Sequence, residues 1–154
     1  MAIDRMGTGL AILRIFIGVF LLFEGISKLA WFMDTGPLSS QLAGWAQNAT
    51  PMNDWYLQRL VPYVPILARV VVIGELGAGL ALILGLWTSV VAALAFLMVL
   101  NFHVASGALF RYNFLTNGYG LPVLGGLLGL AIGGQRLPWS WSLRGRGAGV
   151  RGRL

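Results

Sequence analysis

Seven side chains able to do chemistry lie inside apolar sequence: Arg14, Glu24 and Lys28 in one run, Arg69 and Glu75 in a second, Asn101 and His103 in a third. A charge at the centre of a membrane span costs about 2.5–3.5 kcal/mol on insertion scales, so each charged member is a candidate for function. Glu24 precedes Lys28 by four residues, the orientation that favours a helical ion pair. On a helix turning about 100° per residue, Arg14, Glu24 and Lys28 share an arc of about 80°, with Gly18 and Gly25 on or beside it. Two chemistries suit this set. Glu24, Glu75 and His103 are the residues that exchange protons, and Arg14, Lys28 and Arg69 are those that attract a small anion. The same charges equally fit a closed network that neutralises itself and fixes helix register.

His103 is the single histidine. It shares a helix face with Ala92, Phe96, Ser106 and Gly107, which places it inward. Asn101 shares a face with Leu94, Leu97 and Met98, which reads as lipid-facing. A lone histidine gives no metal-site signature and no pair of haem ligands. The chain has no cysteine, which removes disulfides, thiolate metal sites and thiol redox chemistry. Neither metal nor haem is expected.

The elements that must hold these residues follow from hydropathy. The 154 residues are 57% hydrophobic and 10% charged, with net charge +6. Mean hydropathy is +0.77. Soluble domains run near a quarter charged, so lipid is the expected solvent. A hydrocarbon core of about 30 Å needs about 20 helical residues. Four runs approach that length: 10–33, 65–87, 90–110 and 119–137. The expected fold is all-α, an integral membrane four-helix bundle formed by residues 1–137. Residues 34–61 form one long polar loop on the membrane surface, with Trp45, Trp55 and Tyr56 at headgroup level and a short helix over 51–60. Residues 138–154 form a basic tail.

Arg5, Arg136, Arg144, Arg146, Arg151 and Arg153 fall on one side of a four-span topology. The positive-inside rule puts both termini in the cytoplasm and the loop at 34–61 outside. The tail lacks aromatic interleaving and a fold of its own, so a nucleic-acid partner is not expected. Its partner is the anionic bilayer surface. Small residues repeat every four positions as Gly77, Ala81 and Gly85 and as Gly125, Gly129 and Gly133. They read as close helix-packing faces, and they also offer faces for a homo-oligomer.

At levels of about 1.5 Å per residue, Glu24, Glu75, Asn101 and His103 fall near the midplane, with Lys28 and Arg69 about 10 Å outward. Two carboxylates and two cations can therefore meet in the outer half of the bundle.

Two segments resemble the DoxX family. One is Arg14, Ile17-Gly18, Gly25 and Lys28 in the first run. The other is the second-run stretch from Gly74-Glu75-Leu76-Gly77 to Gly85-Leu86-Trp87-Thr88. The resemblance spans about 10–134. It implies a four-helix protein of the bacterial or archaeal cytoplasmic membrane, and the long outward loop suits the DoxD branch. Members of that branch are membrane subunits of thiosulfate:quinone oxidoreductases. The implied cofactor is a quinone, and the implied partner is a membrane or periplasmic protein that supplies electrons. A non-catalytic scaffold or assembly subunit, and a small transporter or channel, are the other classes this sequence fits.

Overall fold

The structure is a computed structural model and describes residues 5–109 and 111–138. The basic tail beyond Pro138 lies outside the described residues. Every regular element among them is helical: α1 (Arg5–Ser27), α2 (Gly36–Ala46), α3 (Pro51–Leu60), α4 (Val64–Leu84), α5 (Thr88–Ala105), α6 (Tyr112–Thr116) and α7 (Leu121–Gly133). Short 3-10 turns follow α1, α3 and α7. The chain is an all-α membrane bundle.

Helices α1, α4, α5 and α7 form an antiparallel ring in which each packs on two neighbours. Three stretches are long and apolar enough to cross a bilayer: 5–27, the run 51–84 that joins α3 to α4, and 88–105. The fourth expected span is shorter than the sequence suggests. Gly118 and Gly120 precede α7, Pro122 sits in its first turn, and the helix stops at Gly133-Gly134. Its 13 residues give a helix of about 20 Å.

Local chemistry sets the other boundaries. Gly85 takes φ 73°, the left-handed conformation that glycine adopts without steric cost. Leu86 N–H then reaches Ala81 O at 2.8 Å and Gly85 N–H reaches Leu82 O at 3.2 Å, closing α4 with a Schellman turn. Trp87 follows at φ 45°, which costs a residue with a Cβ about 1–2 kcal/mol. At the start of α3, Thr50 caps the helix by accepting from Asn53 N–H at 3.4 Å, with Pro51 next.

The stretch 34–61 is no simple loop. Besides α3, where a helix was expected, it holds α2. Leu38 and Leu42 of α2 are buried with Trp31, Leu57, Val64 and Ala68 in a small core. The two helices thus form a cap over one end of the bundle. Asn53 Nδ2 donates to Val104 O at 2.6 Å, and Tyr56 Oη donates to Asn101 Oδ1, so α3 is tied to α5. At the opposite end a second apolar core joins Ile17, Leu21, Leu82, Ala92, Leu127 and Leu130.

The glycine faces differ from the sequence expectation. A Cβ on Gly79 would lie 2.6 Å from Leu22 N, and one on Gly18 would lie 2.9 Å from Gly79 O. Backbone meets backbone there, and α1 and α4 cross through Gly18 and Gly79. Gly25 packs equally closely on Leu76, and Gly126 on Ile17. Gly77, Gly125 and Gly129 meet nothing within 4 Å, and Gly133 meets only Leu10 Cδ1, at 3.2 Å. Four-residue spacing defines a stripe but not the side of the helix that receives a neighbour. On α4 and α7 the neighbours pack beside the stripe.

Candidate functional site

Lys28 is the centre of an ion triad. The α-helical hydrogen bonding of α1 ends at Ser27, and Lys28 N–H turns back to Gly25 O at 3.2 Å. From this helix end the ammonium reaches Glu24 Oε2 at 2.7 Å. It also meets both oxygens of Glu75 on α4, at 3.0 and 2.9 Å. A fourth approach, at 3.2 Å, is to Glu24 O. An ammonium has three protons, so these acceptors saturate it.

The two carboxylates are not equivalent. Glu75 comes from the neighbouring helix, grips Nζ with both oxygens, and its side chain is 8% exposed. Glu24 uses one side-chain oxygen and is 32% exposed. Gly25 makes this geometry accessible, because its lack of a side chain lets α1 approach Leu76. When all three groups are ionised the triad holds one positive and two negative charges. Ion pairs of this kind in low-dielectric surroundings require good hydrogen-bond geometry to offset desolvation.

Register places His103 on the facing wall. Leu10 meets Gly133 and Ile17 meets Gly126 across the antiparallel α1–α7 pair. The same register sets Glu24 level with the residues just before α7. The Phe20 and Tyr119 rings, 5.5 Å apart, fit that alignment. His103 Nε2 lies 3.0 Å from Tyr119 O, and its ring meets Phe114 edge-on at 5.0 Å. His103 is half-buried, as an inward residue should be. The ring nitrogen meets backbone, so His103 ties α5 to the segment leading into α7.

The remaining candidates stand apart from the triad. Arg14 is buried on α1, 1% exposed. It lies ten residues before Glu24, about 15 Å along the axis. Arg69 is exposed and donates to Pro65 O on its own helix. The expected meeting of two carboxylates with two cations therefore becomes two carboxylates with Lys28 alone. Arg69 is six residues from Glu75, about 120° round the helix, and its own backbone supplies an acceptor. Asn101 is exposed as expected, but its side chain receives Tyr56 rather than lipid alone. Tyr56 and Tyr119 were missed as partners. Their aromatic type signals headgroup level, but nothing in spacing links them to residues on α5.

A helical bundle with three bilayer-length helices and a buried triad across two of them defines a small polytopic membrane protein. Within that class the chain belongs to the DoxX family, whose model matches residues 9–108. All three triad residues fall inside the match. No curated protein and no solved structure matches the chain.

Proposed function

We propose that this DoxX-family chain is a membrane subunit of a quinone-linked oxidoreductase in a bacterial or archaeal cytoplasmic membrane. The observation that carries the reading is the Glu24–Lys28–Glu75 triad, which places proton-exchanging groups within the bundle with one carboxylate half-exposed. The surroundings suit a quinone headgroup. The tilted Phe20 and Tyr119 rings pack beside the level of Glu24, and Phe23 is exposed next to it. A bound quinone would supply the electron acceptor. Glu75 holds the ammonium, an incoming oxygen takes the place of a Glu24 acceptor on one Lys28 N–H, and the released Glu24 carboxylate passes protons at the open side. Electrons come from a small donor such as thiosulfate, the substrate of the DoxD branch, through a partner protein.

A second reading rests on one specific observation. Lys28 is already saturated by acceptors within the chain. On this reading the triad fastens α1 to α4, and the α2–α3 cap docks a partner in a non-catalytic complex.

One experiment separates the two. The chain purified in mild detergent together with its captured partner is assayed for copurified quinone and for quinone reduction by thiosulfate, beside Glu75→Gln. Bound quinone and turnover in wild type, with turnover lost in a folded variant, support the redox reading. Absence of both in wild type, with partner capture unchanged in Glu75→Gln, moves the assignment to the scaffold.

A further inference from the structure

We propose that the groove between α2, α3 and the start of α4 seats a phospholipid whose headgroup ends in a primary ammonium. The groove measures about 240 Å³ and is separate from the triad. Leu42, Leu57 and Val64 form an apolar floor, and Ser39, Asp54 and Gln58 form one polar edge. An apolar floor with polar groups on one edge suits an amphiphile, with room for part of an acyl chain beside a head.

The polar edge selects the head. Gln58 Nε2 donates to Asp54 Oδ2 at 2.7 Å, and Ser39 Oγ donates to Thr35 O at 3.2 Å. The donors on this edge are thus turned to protein acceptors, while the Asp54 carboxylate keeps accepting capacity. Among the described residues Asp54 has no ion pair. Arg59, the basic residue on the same helix, lies 4.3 Å over the Trp55 ring. The complement is a cation that donates hydrogen bonds. A phosphatidylglycerol head brings only negative charge. A choline head is cationic but has no N–H, and proteins recognise it with aromatic cages; no aromatic ring lines this groove. An ethanolamine head meets both requirements. Trp55 on α3 and Tyr63 in the turn between α3 and α4, both exposed, set the groove at headgroup level.

The test is lipid retention by the full chain in mild detergent, read by native mass spectrometry. Phosphatidylethanolamine, phosphatidylcholine and phosphatidylglycerol of matched chains are supplied in equal amounts. The ethanolamine lipid is expected to be retained preferentially. Asp54→Asn, which keeps an acceptor for Gln58, should weaken that retention by roughly tenfold, the scale of one hydrogen bond to a charged group. Ala46→Phe, which fills the groove and spares Asp54, should abolish it. Circular dichroism checks that each variant is folded. Equal retention of the three lipids by wild type overturns the proposal, as does an ethanolamine preference that survives either substitution.

Discussion

Lys28 depends on Glu75 more than on Glu24, because Glu75 is the buried, two-oxygen partner. Glu75→Leu leaves an ammonium inside the bundle with one half-exposed carboxylate. Removing one member of a buried pair typically costs about 3–5 kcal/mol, whereas replacing both by apolar groups is often neutral. Glu75→Leu should therefore unfold at a markedly lower temperature in detergent, and Lys28→Met with Glu75→Leu should recover most of the loss. If the triad is a working site, that double variant is folded and inactive. At this scale the sequence was partly legible. The Glu24–Lys28 pair follows from spacing alone, and Glu75 is conspicuous as a carboxylate in an apolar run. Arg69 looked equally conspicuous, but its reach to Pro65 O is a rotamer choice that no periodicity records.

At the scale of elements, the α1–α4 crossing is set by Gly18 and Gly79. Gly79→Val drives a side chain into the Leu22 backbone, and overpacking of this kind costs about 1–3 kcal/mol. Gly77→Ala, two residues away, meets open space and should gain up to about 1 kcal/mol from helix propensity. Thermal unfolding of the two variants should thus shift in opposite directions. The cap makes its own prediction. Tyr56→Phe and Asn53→Ala each remove one tie between α3 and α5. Amide exchange should then quicken over 36–60 while α1 and α4 stay protected. Helix α2 was missed by the sequence reading although Leu38, Leu42 and Trp45 are spaced as one helical face. Pro37, Gly44 and the polar residues between them gave the stretch the composition of a loop. The helix is held by the small core beneath it, a tertiary effect.

For the molecule as a whole, the bundle and its family were legible in hydropathy and in the motif around Glu75, whereas the length of α7 was not. Orientation is open to direct measurement because the chain has no cysteine of its own. Arginine distribution predicts that Ser40→Cys, on the cap, reacts with an impermeant maleimide in intact cells. Gln135→Cys, at the other end, should react only after the membrane is opened. The reverse pattern would invert the topology.

The short fourth helix has a consequence for the bilayer itself. With its 3-10 turn, α7 reaches about 26 Å, below the roughly 30 Å of an average hydrocarbon core. Helices α1 and α4 are 23 and 21 residues long, so the molecule is taller on one flank than on the other. Lipid beside α7 must thin to meet it, at a fraction of a kcal/mol per ångström. The protein therefore carries a thickness gradient around its perimeter. Shorter-chain lipids, or another protein with an equally short span, relieve the deformation best on that flank.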